Sequence, residues 1–239
     1  MKELEDYNWF PPLLRNFQTD YIGFVVANFN IYSTFINYLN MQVDRNKTVM
    51  FDLCSGSGEP AVTIFTESKN YTTLRLSDKY PNLNFSKQAN IFYIDESIDV
   101  LNFKFEEGVT YTMYNAFHHF SDADKKNIIQ KCNAANANMY IVEILEPTFL
   151  FLVKVLMLTT IGVLLFSPFI KPFSWQRLFF TYIIPINIIT ISFDGIISVL
   201  KSRSFNAYKK LYSGVNNINV LNLKKGISSL LVIELVQKS

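Results

Sequence analysis

The chain has 239 residues, of which 49% are hydrophobic and only 18% charged, where soluble domains usually carry roughly 25% charged residues. That composition excludes a disordered chain, a collagen-like fibre and a charge-laced coiled coil, and the length suits one large domain or one domain carrying an insertion. The net charge of +2 provides no field for recruiting nucleic acid, and two cysteines, Cys54 and Cys132, cannot build a disulfide scaffold or a zinc ribbon and suit a reducing compartment.

The opening Met1–Asp6 is acidic and lacks an apolar run, which predicts no secretory signal. From residue 12 to 40, large apolar side chains recur at spacings of three and four (Leu13, Leu14, Phe17, Tyr21, Phe24, Val25, then Ile31 to Leu39). This predicts one or two amphipathic helices opened by Pro11 and Pro12, forming an N-terminal extension over residues 1–44. Short apolar runs follow at Val49–Phe51, Leu74–Leu76, Ile91–Ile94, Val109–Tyr114 and Met139–Ile144, most of them ending at an acid or an amide. With helical segments at Ala61–Ser68 and Lys125–Asn133 between them, they predict βαβ units and a parallel sheet over residues 45–146. Pro60 suits the start of the first of those helices, and Ser121 with Asp122 and Asp124 caps the second. Beyond an apolar block at 147–203, residues 204–239 read as a helix stopped by Gly214. A hairpin then closes the sheet, its strands Val215–Leu223 and Leu230–Val236 joined through Lys224, Lys225 and Gly226.

The most informative segment is Phe51-Asp52-Leu53-Cys54-Ser55-Gly56-Ser57-Gly58-Glu59-Pro60, in which a strand delivers an acid, a loop of small residues and a helix start. Glycines there allow close backbone approach to a ligand, and the helix N-terminus favours an anionic group. Gly56-x-Gly58-x-x-Ala61 also fits a dinucleotide fingerprint, with Asp78 twenty residues past Gly58. A plain tight turn that needs only small residues is the bland alternative. Four residues separate Phe51 from Gly56, and an acid at the strand end repels a pyrophosphate while accepting hydrogen bonds around a cationic amino-acid ligand. That weighs toward a cationic amino-acid ligand rather than a pyrophosphate.

At these residues the chain resembles the class I S-adenosylmethionine-dependent methyltransferases. Asp52 with Cys54, Ser55, Gly56 and Gly58 is similar to their first motif, except that Cys54 stands where the family has glycine. Leu76-Ser77-Asp78-Lys79 resembles the second motif, whose acid binds the ribose hydroxyls. Ser97-Ile98-Asp99 lies where the family sets a residue against the adenine, and Tyr114-Asn115-Ala116-Phe117-His118-His119-Phe120 resembles the segment beside the methyl group and the acceptor. The pattern is also similar to a bacterial group with an apolar insertion after the fifth strand. The resemblance implies a doubly wound, mostly parallel seven-stranded α/β sheet of Rossmann-like methyltransferase type. It implies S-adenosylmethionine as cofactor, held by Asp52, Cys54, Ser55, Gly56, Gly58, Asp78, Asp99 and Asn115.

His118 and His119 are the only histidines and are the candidates for acceptor-side catalysis, since methyl transfer needs alignment and, for a hydroxyl, a proton acceptor. The alternative is that one packs under the sheet and the other caps the next helix. No metal centre is expected, because Asp122 and Asp124, the acids nearest the pair, suit a helix opening. Cys54 is read as small rather than as a reactive thiol.

Between residues 147 and 200 there are four charges, Lys154, Lys171, Arg177 and Asp194. Phe149–Ile170 and Leu178–Leu200 are each long enough to cross a ~30 Å hydrocarbon core. Pro185 and the stripe Asn187, Thr190, Asp194 and Ser198, which share one helical face, argue instead for two helices forming a cap over the site and dipping into one leaflet. Asp194 is then a candidate for binding the polar end of the acceptor, or a residue that merely recaps a helix. Residues 149–200 are expected to touch a membrane surface or a twin subunit. The overall expectation is a cytoplasmic enzyme, free or attached to the inner face of the membrane, that methylates a small lipophilic or aromatic molecule. An NAD-dependent oxidoreductase and a non-catalytic membrane-associated module are the alternatives.

Overall fold

A computed structural model describes residues 2–42, 49–82, 85, 88–225 and 228–237. The chain begins with a 3-10 turn (Leu4–Asp6), then α1 (Pro12–Asn28) and α2 (Ser33–Met41). The core follows as β1 (Val49–Leu53), α3 (Ala61–Glu67), β2 (Thr73–Ser77), β3 (Ile91–Tyr93), β4 (Thr110–Tyr114), a 3-10 turn (Phe117–His119), α4 (Asp122–Ala134) and β5 (Asn138–Glu143). The expected boundary at residues 44 and 45 and the Gly226 joint of the hairpin lie outside the described residues.

The strands form one sheet in the order β3-β2-β1-β4-β5-β7-β6, closed by β6 (Ile218–Lys225) and β7 (Ser228–Leu235). β1 to β5 pair in parallel, whereas β7 runs antiparallel to both β5 and β6. The all-parallel dinucleotide order 3-2-1-4-5-6 contains no such inserted antiparallel strand, so the topology departs from the NAD alternative. The strand alternation splits the core into two layers. Met50, Leu74, Leu76, Tyr140 and Val142 face α2 and α3. Phe51, Leu53, Tyr111, Met113, Met139 and Ile141 meet Ile128 and Ile129 of α4 and Tyr208. A period of two with both faces covered is what parallel strands demand.

After β5 the chain leaves the sheet. α5 (Phe149–Met157) runs through a π turn (Leu158–Gly162) into α6 (Val163–Phe166), and α7 (Trp175–Leu178) with a second π turn (Phe179–Ile183) leads to α8 (Ile186–Lys201). The expected second helix is therefore broken, with an 81° bend between Trp175–Ile183 and Ile186–Lys201. Pro185 at the break has no N–H to donate, and it drives Ile184 into an extended conformation. The first π turn leaves the Leu158 carbonyl to the Tyr21 hydroxyl, which donates to it at 2.6 Å. Tyr21 and Val25 of α1 pack there with Val163, Ile170 and Ile191. Arg177, buried, donates to Asp20 at 2.8 Å and to the Ile170 and Pro172 carbonyls. α9 (Phe205–Leu211) then leads back to the sheet.

Candidate active site

The loop after β1 carries three consecutive demands on the backbone. Cys54, Gly56 and Gly58 have φ of 62°, 51° and 97°, the left-handed region that glycine visits freely. A Cβ on Gly58 would stand 2.7 Å from the Phe85 ring and 3.2 Å from Leu76. Cys54 adopts this left-handed conformation with a Cβ, at a cost of order 1 kcal/mol. The loop is pinned from beside and beneath. The Ser55 N–H donates to the Ser77 carbonyl, the Ser77 N–H donates to the Ser55 hydroxyl, and both hydroxyls donate to the Asp52 carbonyl. The Tyr93 hydroxyl donates to the Gly56 carbonyl at 2.7 Å.

Asp78, at the end of β2, accepts from the Gly56 N–H and the Tyr80 N–H, both at 2.8 Å. Burial raises its pKa, with those two bonds opposing. Asp99 pairs with Lys79 at 3.0 Å. Asn115, at φ 50°, follows β4. Cys54, Ser55, Gly56, Asp78, Asp99 and Asn115 all line one cavity of about 690 Å³, within the 300–1,000 Å³ typical of small-molecule sites.

Asp52 is placed differently. It lies beneath the loop, 2% exposed, and accepts a hydrogen bond from the Thr112 hydroxyl at 2.6 Å. Burial pushes its carboxyl up to about 7, against the hydroxyls of Thr112 and Ser55. The folded chain therefore keeps that proton up to about pH 7, whereas the unfolded chain releases it near 4. Its contribution to stability is full below about pH 4 and is lost as the pH rises through 7, by at most about 4 kcal/mol. Denaturant unfolding of Asp52→Asn should accordingly show a flatter pH dependence between pH 5 and 8 than the parent; identical slopes would refute the assignment.

The two histidines, brought there by the 3-10 turn after β4, line the same cavity. His118 is buried, and its Nδ1 lies 2.8 Å from Glu143 Oε2 at the end of β5, while Glu143 Oε1 accepts from the Phe117 N–H. Burial disfavours the Glu143 anion, but His118 and the Phe117 N–H outweigh it and hold the carboxyl below its ordinary range. His118 Nε2 has no hydrogen-bond partner among the described residues. His119 Nδ1 lies 3.0 Å from Asp6 Oδ1. Burial alone would lower the His119 pKa, but Glu3, Asp6 and Glu5 raise it to about 9.

The N-terminal turn forms a wall of this chamber, a feature that sequence reasoning missed. Asp194 accepts from the Leu4 N–H at 2.5 Å, the Glu5 N–H at 3.2 Å and the Gln18 amide at 3.0 Å. Ser198 donates to Glu3 at 2.8 Å and Lys201 at 3.0 Å. The polar stripe on α8 therefore faces protein. Asp194, expected to bind the acceptor, lines the cavity with both oxygens already engaged in anchoring the turn. Three acids within four positions, Glu3, Glu5 and Asp6, were the signal in the sequence, and they read there only as an unsuitable signal peptide.

No protein-family model and no curated protein matches the chain by sequence. Solved structures match by fold. The chain is similar to human N-acetylserotonin methyltransferase, solved in complex with S-adenosylmethionine, at 13% identity and a TM-score of 0.51, over 87% of this chain and 53% of that one. It is similar to the plantazolicin methyltransferase BpumL, solved with S-adenosylhomocysteine and a substrate analogue, at 10% identity and 0.53, over 92% and 86%. The chain spans about half the length of the human protein. At these identities the likeness establishes the fold, which is that of the class I S-adenosylmethionine-dependent methyltransferases, as the sequence motifs implied.

Proposed function

We propose that this chain transfers a methyl group from S-adenosylmethionine to a small, lipophilic acceptor. One observation carries the reading. A single cavity is lined by a glycine loop, with Asp78 beside it, and by His118, whose Nε2 has no hydrogen-bond partner among the described residues. Its walls also include the apolar or aromatic Val25, Tyr32, Tyr114, Val155, Leu158 and Ile191. The loop of Ser55 to Gly58 would take the amino-acid part of the donor, Asp78 the ribose hydroxyls, and Ile98 with Asp99 the adenine. The acceptor's apolar body would lie against Val155, Leu158 and Ile191, with its hydroxyl or amine at the histidines. In the transfer the carbon–sulfur bond breaks as the bond to the acceptor forms, S-adenosylhomocysteine leaves, and the acceptor's proton is given up at the His118–His119 end. Holding the two reactants in line can supply ~7–11 kcal/mol of the barrier reduction. Calorimetric titration should give tight, one-to-one binding of S-adenosylhomocysteine and none of NADH. Binding of NADH alone would overturn the reading.

The outer face of the insertion supports a lipid surface as the source of the acceptor. Phe149, Trp175 and Phe169 are 81%, 77% and 67% exposed, with Ile183, Ile189 and Leu200 similarly bare. Aromatic side chains beside a cation, here Phe173 and Trp175 near Lys171, suit a water–lipid boundary. Because Asp194, Ser198 and Lys201 tie α8 to the N-terminal turn, the insertion is read as lying on one leaflet. The protein should sediment with vesicles of mixed zwitterionic and anionic phospholipid. The triple variant Phe169→Glu, Trp175→Glu, Ile189→Glu should stay in the supernatant with its donor affinity unchanged. A parent protein that ignores vesicles and sediments alone as a dimer would assign the face to a second subunit.

A further inference from the structure

We propose that Glu3, His118 and His119 form a binding site for a divalent transition-metal ion at the acceptor end of the cavity. The inference deepens the methyltransferase reading, on which only its catalytic consequence rests.

The two imidazoles are oriented alike. Each has its Nδ1 against a carboxylate, Glu143 for His118 and Asp6 for His119. Carboxylate pairing at Nδ1 orients each ring with Nε2 toward the third group, which is the usual outer support of a metal-binding histidine, and an ion would displace the proton that the surrounding acids favour on His119. Both Nε2 atoms point at the same third group. His118 Nε2 lies 3.9 Å from Glu3 Oε1, and His119 Nε2 lies 3.4 Å from Glu3 Oε2.

Those gaps exceed the 2.7–3.2 Å of an N–H···O hydrogen bond. The His119 gap is close to the edge of a coordination tetrahedron, which for ligand distances of 2.0–2.1 Å is about 3.3 Å, and the His118 gap, to the other carboxylate oxygen, is wider. One ligand atom from each of the three residues lies within 4.8 Å of the others. The buried, unpartnered Nε2 of His118 is then a ligand awaiting its ion, where otherwise it is a polar atom out of water without compensation.

Acidic side chains crowd the pair: Glu3, Glu5, Asp6 and Glu143 stand around it, and Lys201 is set against Glu3 and Asp6. Glu5 Oε1, 3.8 Å from His119 Nε2, offers a further oxygen. Ser198 and Lys201 hold the Glu3 carboxylate in place. Two imidazoles and a carboxylate suit zinc, iron(II), cobalt or nickel over magnesium or calcium. All three residues line the cavity, so a fourth position is open to the acceptor. A hydroxyl coordinated there would lose its proton near neutral pH, as metal-bound water does, giving a nucleophile beside the donor. This differs from the expectation of no metal centre: Asp122 pairs with Arg203 and Asp124 with Ser121, while Glu3 joins the histidines from 115 residues before His118 in the sequence.

The test is a titration of chelator-stripped protein, free of any histidine tag, with Co²⁺. We expect one equivalent to bind with visible ligand-field bands that Zn²⁺ bleaches. His118→Ala and His119→Ala should each weaken binding at least 100-fold, and Asp6→Asn about 10- to 100-fold through the loss of orientation. Glu3→Gln, which preserves shape and can still accept from Ser198, serves where an alanine variant does not fold, as judged by circular dichroism. Protein that binds S-adenosylhomocysteine but takes up no Co²⁺, or bands that persist unchanged in His118→Ala, would overturn the proposal. Co²⁺ uptake without S-adenosylhomocysteine binding would leave the ion site standing and remove the methyltransferase reading.

Discussion

Asp78→Ala should weaken S-adenosylhomocysteine binding by about 100-fold, and Asp78→Asn by about tenfold. A carboxylate that accepts from both ribose hydroxyls makes charge-assisted bonds worth about 1.5–3 kcal/mol each. Alanine removes both acceptors, whereas asparagine keeps one neutral oxygen. Each carboxylate oxygen of Asp78 already receives one backbone N–H, from Gly56 and from Tyr80, and has a second lone pair for a ligand. The same bonds tie the acid to the glycine loop, so the alanine variant also loses a brace on Gly56. The asparagine variant can retain that brace, which makes it the cleaner measure of the ribose contact. Unchanged affinity in both variants would remove Asp78 from the donor site.

The second large effect belongs to the other end of the cavity. His118→Asn should lower kcat by about 10²–10⁴ with the first acceptor that turns over, and leave the affinity for S-adenosylhomocysteine within twofold of the parent. Asparagine is chosen because its amide can still donate to Glu143. Alanine would leave that carboxylate buried without its partner, at a cost of about 3–5 kcal/mol in stability. Separating the two ends in this way discriminates a donor-binding scaffold from an enzyme. A His118→Asn protein that binds the donor normally and turns over normally would take the imidazole out of the reaction, whether it acts directly or through a bound ion.

Much of the sheet was legible because its strands announce themselves locally. Val49–Phe51, Leu74–Leu76 and Met139–Ile144 are short apolar runs, several ending in acids, and the loop glycines mark the first crossover. The residues proposed to hold the donor could be picked out for the same reason, since residues 52 to 58, Asp78 and Asp99 follow successive strands at their carboxyl ends. Asp52 shows the limit of the motif. Its position was identified, but which way an alternating strand turns a side chain at its end depends on register, and here the carboxylate meets Thr112 under the loop. At the histidines, proposed as the acceptor side, the pair itself stood out but the acids around it did not. Glu3 and Asp6 meet His119 across more than a hundred residues of sequence, and Asp194 meets Leu4 across 190. No periodicity links residues so far apart. Similarly, the stripe on α8 correctly signalled a face that avoids lipid, but helix spacing alone could not say that its partner was the N-terminal turn.

The anchoring of that turn has a consequence for how the protein matures. The backbone N–H groups of Leu4 and Glu5 find their acceptor only when α8 has been made and docked. A contact of this range is entropically late, because the intervening chain must be ordered before the contact is rewarded. The segment proposed to hold the donor, residues 52 to 115, is built on β1 to β4 rather than on α8. During refolding, S-adenosylhomocysteine binding should therefore recover before turnover does, with an interval in which the chain holds its methyl donor and has no finished chamber in which to spend it.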